Sequence, residues 1–258
     1  MYNSVILLRM TRQKILITGA SSGLGAGMAR AFAAKGRDLA LCARRVERLE
    51  ELRAEILDKH PYAKVAIAAL DVDDHEAIPR VFGELSDELG GIDRVIVNAG
   101  IGKGWPLGEG KPWANKATIN TNLISGLAQI ETALEMFKKS GAGHLVLISS
   151  VLGNTGVPGG KAAYCASKAG MTSLGESLRA EYDKGPIRIT VIEPGYIESE
   201  MTAKSATTLL MVDNETGVRK MVEAIEKEKG RAVVPSWPWA PITQIMRLLP
   251  PKYTKRFA

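Results

Sequence analysis

The 258-residue sequence predicts an α/β fold, a doubly wound parallel sheet with helices on both faces. Three observations predict it. Short apolar runs alternate with longer amphipathic ones along the chain. The short runs are continuously apolar, as strands covered on both faces are. The first of them passes through a glycine-rich turn straight into a helical pattern, and right-handed crossovers then wind such units into one sheet. Folds of this class often use about 250 residues as one unit, so the chain reads as a single domain over 1–258. Within it, residues 1–11 read as a flexible extension, with Met10 an alternative start, and 236–258 as a helical C-terminal tail.

The elements follow in order. Lys14–Thr18 (KILIT) reads as a buried strand, and Leu24–Lys35 as a helix stopped by Gly36. Asp38–Cys42 is a second strand, and Val46–Lys59 a charged helix ended at His60-Pro61. Lys64–Leu70 and Asp74–Leu89 are the third strand and helix. Asp93–Val97 and His144–Ser149 are strands around a helical stretch from about Trp113 to Lys139. Lys161–Asp183 is helical, Ile187–Glu193 is a strand, and a charged helix runs near Glu215–Lys229.

Composition excludes several classes. Hydrophobic residues make up 45% and charged ones 24%, an ordinary globular balance rather than a disordered or repetitive one. No run approaches the ~18 apolar residues of a spanning helix, and Val5–Leu8 is too short for a signal-peptide core. Cys42 and Cys165 are too few for a disulfide framework and lack metal-ligand spacing, so no metal is expected and a cytoplasmic setting is. Net charge is +6, from 34 basic and 28 acidic residues. Eight of the basic residues lie in 1–14 and 231–258, which hold no acid, leaving 26 against 28 between them. The body is therefore slightly acidic and not a nucleic-acid surface.

The turn after the first strand reads Thr18-Gly19-Ala20-Ser21-Ser22-Gly23-Leu24-Gly25. Glycines let the backbone turn tightly and approach a pyrophosphate, whose charge sits at the helix N-terminus. Strand, turn and helix in this order form a dinucleotide site. An NAD(H) site places a carboxylate after the second strand, on the ribose 2′-hydroxyl. Here Cys42 is followed by Ala43-Arg44-Arg45, and a guanidinium pairs with a 2′-phosphate. NADP(H) is therefore favoured over NAD(H), with Arg44 as main contact and Arg45 as a second.

Tyr164-Cys165-Ala166-Ser167-Lys168 places a phenol and an ammonium at i and i+4, on one helix face. A cation about 4 Å away favours the phenolate by ~4 kcal/mol at an effective dielectric of ~20. Lys168 is thus expected to draw Tyr164 down from its usual pKa near ~10 towards the working range of a proton-transfer group. Neither His60 nor His144 has a metal-ligand pattern.

With TGASSGLG at 18–25, Leu70-Asp71-Val72, Asn98-Ala99-Gly100, Asn122, Ser149-Ser150, YCASK at 164–168 and Pro194-Gly195 in this order, the sequence resembles the short-chain dehydrogenase/reductase family, in its branch of about 250 residues. The resemblance covers roughly residues 12–235. It implies a Rossmann-like sheet, a nicotinamide cofactor and a small-molecule carbonyl or alcohol substrate. Tyr164 would be general acid in reduction and base in oxidation. Lys168 would lower its pKa and bind the nicotinamide ribose, Ser150 would polarise the substrate carbonyl, and Asn122 would hold a water in a proton relay. Gly19, Ser21, Ser22, Gly23, Leu24 and Gly25 would surround the pyrophosphate. Asp71 and Val72 would touch the adenine, Asn98, Ala99 and Gly100 would support the sheet beside the cofactor, and Pro194, Gly195 and Ile197 would border the nicotinamide. A homodimer or homotetramer is implied as well.

Three departures stand out. Ser150 precedes Tyr164 by 14 positions, one more than is usual, and the Gly-rich stretch 153–160 absorbs the difference as a loop; Ser149 is the fallback. Ser22 stands where many NADP-preferring members carry a basic residue. The C-terminus is unusual. Met201, Leu209, Leu210 and Met211 after Pro194-Gly195 suggest an apolar pocket, or core packing, with the loop of Trp105 and Trp113 as the other wall. Beyond Trp237-Pro238-Trp239, the residues Ile242, Ile245, Met246 and Leu249 lie on one face of a helix begun at Pro241 and ended at Pro250. That helix packs near the pocket or across a dimer interface, lies on an anionic membrane surface as a peripheral contact, or is disordered. A catalytically silent dinucleotide-binding regulator is the alternative to an oxidoreductase, but the complete Asn-Ser-Tyr-Lys set argues for the enzyme.

Overall fold

The computed structural model describes residues 12–203 and 210–248. The N-terminal extension, Leu209, Leu249 and the end of the tail at Pro250 lie outside them. The elements are β1 (Lys14–Thr18), α1 (Gly23–Ala33), β2 (Asp38–Ala43), α2 (Val46–Lys59), β3 (Val65–Ala69), α3 (Ala77–Leu89) and β4 (Arg94–Val97). They continue with α4 (Pro112–Ile119), α5 (Ser125–Ser140), β5 (Gly143–Ile148), α6 (Ala162–Glu181), β6 (Ile187–Pro194), α7 (Asn214–Glu226), β7 (Arg231–Val234) and α8 (Ser236–Leu248). The strands form one seven-stranded sheet in the order β3-β2-β1-β4-β5-β6-β7, and every pairing is parallel.

The continuous apolar strands are explained by the two layers they separate. In β1, Ile15 and Ile17 pack with Met28 and Phe32 of α1, Leu49 of α2 and Met221 of α7. Leu16, between them, points to the other face, with Phe82 of α3, Phe137 of α5 and Met171 of α6. Alternate side chains leave opposite sides of a strand, and both sides are core. Burying each of these large side chains contributes about 1.5–3 kcal/mol.

Three features differ from the sequence expectation. The long helical stretch is divided by a π-helical turn at Asn120–Ile124, between α4 and α5. Periodicity does not reveal one extra residue in a turn; π turns occur mostly as such single insertions, often at functional sites. The chain also gains β7, a four-residue strand too short to stand out between the charged helix and the tail. It extends the sheet beside β6, with Pro194 opposite Val234. The predicted face of the last helix is rotated. Trp239, Thr243 and Met246 are buried and Ile242 is half-buried, but Ile245 is exposed. The anchor is Trp239, two residues before the predicted start at Pro241, and its docking sets which side turns inward.

Candidate active site

The order reversal between β1 and β4 opens a crevice at the carboxyl ends of the strands, the ligand position of such sheets. The turn after β1 forms its floor. Gly19 has φ +65°, and a Cβ there would stand 2.8 Å from Ala99 Cα. A Cβ on Gly25 would stand 2.7 Å from Asn98 Nδ2. Asn98 fixes this approach: its Nδ2 donates to the carbonyls of Thr18 (2.8 Å) and Gly19 (3.3 Å), and Thr18 Oγ1 accepts from the backbone N–H of Asn98 and Ala99.

Ser22 is the N-cap of α1, yet its side chain does not cap the helix. It accepts instead from Arg45 Nη2 at 2.6 Å, while Arg45 Nε reaches Ser21 Oγ at 3.3 Å. A basic group from the β2–α2 junction thus covers the position where Ser22 departs from the basic pattern. Arg44 lies near Asp71, 3.8 Å apart and largely exposed. Gly19, Ser21, Ser22, Gly23, Leu24, Gly25, Arg44, Arg45, Asp71, Val72, Asn98, Ala99, Gly100, Pro194, Gly195 and Ile197 all border this cavity, with Ser150, Tyr164 and Lys168 at its inner end. Bare backbone at the turn and two guanidiniums at its rim fit the phosphates of a nicotinamide dinucleotide.

A second cavity of about 410 Å³ adjoins the first, and Ser150, Tyr164, Gly195, Met201 and Thr202 border both. Tyr164 is in the first turn of α6, with the Ser150 hydroxyl near its phenol, and Ser150 Oγ accepts from the Leu152 N–H at 3.1 Å. Ser149 points the other way: its Oγ contacts the Lys168 carbonyl (2.8 Å) and Thr172 Oγ1 (2.7 Å) within the core. Trp105 and Trp113 do not wall either cavity. Trp105 Nε1 donates to the Glu109 carbonyl within its own loop, and Trp113 is 61% exposed. Gly102 and Gly104 take their place at the second cavity. Leu210 and Met211 are partly buried and pack against the cluster that holds Val151, Leu152, Tyr196 and Trp239.

The electrostatics correct one expectation. Tyr164 keeps part of its surface open to the cavities, but burial pushes its pKa up to about 12, opposed by the nearby Ser150 hydroxyl. Lys168 does not bring it down. Burial draws the lysine itself down to about 8, and its Nζ donates to the Ile148 carbonyl at 2.8 Å. The ammonium lies 5.9 Å from the Tyr164 ring centre. A spacing of i and i+4 guarantees a shared face, not contact, and desolvation outweighs attraction for both groups. Asn122 sits in the π turn and spends its amide on Ile101, accepting from its N–H (2.7 Å) and donating to its carbonyl (2.9 Å), with a further bond to Ser167.

The short chain dehydrogenase family model matches residues 13–210. The chain belongs to this family. It is 72% identical over 253 residues to an uncharacterized oxidoreductase of Mycobacterium tuberculosis, covering 98% of this chain and all of that one. Among solved structures, levodione reductase superimposes with a TM-score of 0.70 at 33% identity, covering 75% of each chain. The closed form of serine dehydrogenase complexed with NADP+ gives a TM-score of 0.76 at 26% identity, over 86% of this chain and 95% of that one. The protein is thus an oxidoreductase of the short-chain dehydrogenase family with its fold.

Sequence reasoning missed several residues around this short-chain dehydrogenase site. Glu200, in the segment after Pro194-Gly195, pairs with Arg45 (3.3 Å) and with Arg48 across the cofactor cavity. Arg231 of β7 links Glu193 (2.7 Å), Asn154 (2.8 Å) and Glu176 beneath the site. Trp239 seats against Gly195, where any Cβ would overlap the indole, and its ring centre lies 5.5 Å from that of Tyr196. None carries a local pattern. The lone signal for Glu193 is an acid inside the apolar run ITVIEP. Among the described residues no helix is long and apolar enough to cross a membrane.

Proposed function

We propose that the protein is an NADP(H)-dependent oxidoreductase that interconverts a ketone or aldehyde and its alcohol, with Tyr164 as general acid and base. One observation carries this reading: Ser150 and Tyr164 stand side by side where the dinucleotide cavity meets a second cavity, and both border each of them. The relative solved with NADP+ supports the cofactor class, and so does the absence of a carboxylate directly after β2.

The bound nicotinamide supplies the hydride that reduces the carbonyl carbon, or accepts it in the reverse direction. The glycine turn and the uncapped start of α1 hold the pyrophosphate, and Arg45 with Arg44 holds the 2′-phosphate. Ser150 orients the substrate oxygen by a hydrogen bond that strengthens as charge develops there. Tyr164 gives its phenolic proton to that oxygen in reduction. Its raised pKa keeps it protonated for this task, and an oxygen becoming an alkoxide is basic enough to take the proton. In oxidation the phenol must first shed the proton, so alkaline pH favours that direction. Lys168 binds the nicotinamide ribose, and Asn122 holds Ile101 and Gly100 against the catalytic helix.

NADPH consumption across a carbonyl panel tests the reading. Activity is expected with the wild type and a loss of about 10²–10⁴-fold with Tyr164→Phe. Tight NADPH binding without turnover of any carbonyl would instead make the protein a dinucleotide-binding regulator. A preference for NADH in kcat/KM would refute the cofactor assignment.

A further inference from the structure

Among the described residues the second cavity carries one charged side chain, with no carboxylate beside it. Its walls are glycine backbone at Gly102, Gly104, Gly159 and Gly160, apolar groups, hydroxyls and Lys161. Lys161 is half-buried and precedes Tyr164 by three positions at the start of α6. Lys161 is the N-cap of α6 and Tyr164 its third residue, so the two flank one turn of the chain. The Lys161 ammonium lies 6.0 Å from the centre of the Tyr196 ring, which borders the same cavity.

Several arginines of the described surface have a carboxylate: Arg30 has Glu55, Arg48 has Glu200, Arg80 has Glu84 and Arg219 has Glu223. Lys161 has none among the described residues; the lone ionisable neighbour that acts on its charge is the Cys165 thiol. The segments outside the described residues, 1–11, 204–209 and 249–258, contain no Asp or Glu. The chain therefore has no carboxylate side chain left to place there. A partly desolvated cation without a counter-charge costs free energy, which a ligand of opposite sign returns on binding. An arginine would form a wider fork; a lysine offers a compact point charge on a flexible stem.

From this we propose that the carbonyl substrate bears an anionic group, of the carboxylate class, which Lys161 holds while Ser150 and Tyr164 engage the carbonyl oxygen. The proposal rests on the carbonyl-reductase reading above and adds its substrate class. The anion takes no part in the bond changes: the carbonyl gains a hydride from NADPH and a proton from Tyr164, and the carboxylate leaves unaltered. The small separation of Lys161 and Tyr164 along α6 sets the anion only a few bonds from the reacting carbon. The apolar wall of Val151, Leu152 and Tyr196 accepts the part between them.

The test compares keto acids with their neutral methyl esters: para-acetylbenzoate, levulinate and benzoylformate, each with NADPH. Wild type is expected to favour the acids in kcat/KM, less so as salt is raised. In Lys161→Gln the acid-to-ester ratio falls by at least about tenfold, as when a charge-assisted hydrogen bond is removed. In Lys161→Arg most of it returns. Equal use of acids and esters by the wild type, or an unchanged ratio in Lys161→Gln, overturns the anion site and leaves the reductase reading intact. If neither acids nor esters turn over although NADPH binds, the reductase reading fails. Titration of the NADP+ complex with para-acetylbenzoate then decides. Saturable binding lost in Lys161→Gln retains the anion site, and equal binding or none removes it. Should Lys161→Gln not fold, the wild-type ratio and its salt dependence decide alone.

Discussion

Two tryptophans of the tail, two residues apart, make opposite predictions. Trp239 is 1% exposed and Trp237 is 77% exposed. Trp239 lies against Gly195 and Tyr196, in a cluster with Val151, Leu152, Val157, Cys165 and Met246. An indole buries about 150–250 Å², worth ~4–6 kcal/mol at 25 cal/mol per Å². Part of that is offset because its Nε1 is buried with no hydrogen-bond partner among the described residues, a cost of about 1–3 kcal/mol. Trp239→Ala is therefore expected to destabilise by about 3–5 kcal/mol, the usual range for this truncation. At roughly 2 °C per kcal/mol for a chain of this size, Tm falls by about 6–10 °C. Trp239→Phe removes the unpaired N–H and should cost less than half as much. Because Gly195 and Tyr196 border the second cavity, kcat/KM falls in Trp239→Ala beyond what the unfolded fraction explains. Trp237→Ala should stay within about 0.5 kcal/mol of wild type. Urea and thermal unfolding with parallel kinetics give the comparison. A Trp239→Ala protein melting within a degree of wild type, or a Trp237→Ala protein losing as much, would refute the docking of the tail beneath the site.

Other predictions follow from the same geometry. Ser150→Ala should lower kcat/KM by about 10²–10³ with little change in Tm, because one donor to the developing oxyanion is lost. Ser149→Ala should instead cost about 1–2 kcal/mol of stability through its bonds to Lys168 and Thr172, with the smaller kinetic effect; the reverse pattern would exchange their roles. Glu200→Gln frees Arg45 and Arg48, so NADPH binding, read by fluorescence titration, should tighten about 2- to 5-fold while NADH binding stays level. The cofactor-free protein should gain stability as pH rises from about 8 towards 10.5. Across that window native Lys168 has shed a proton that the unfolded chain still holds, an effect on the order of 3 kcal/mol. Above pH 10 the gain reverses, since native Tyr164 keeps its proton up to about 12 while the unfolded chain loses it. Lys168→Met should flatten the rising limb in urea titrations at stepped pH.

The sequence by itself determined the layered α/β plan. KILIT, DLALC and HLVLIS are apolar at every inward position on both faces, which only a covered parallel sheet accommodates. It also determined the glycine turn and the Tyr164–Lys168 face, because both are set by spacing along one element. What depends on meetings between distant segments was illegible: Arg45 over Ser22, Glu200 across the cavity, Trp239 beneath Gly195, and the choice between Ser149 and Ser150. Those two serines are chemically identical neighbours, and only the direction each takes from the end of β5 separates the core bond from the cavity wall. The same holds for charge. Spacing alone predicted that Lys168 would acidify Tyr164, but burial governs both groups, and burial is a property of the packed whole rather than of the helix that carries them.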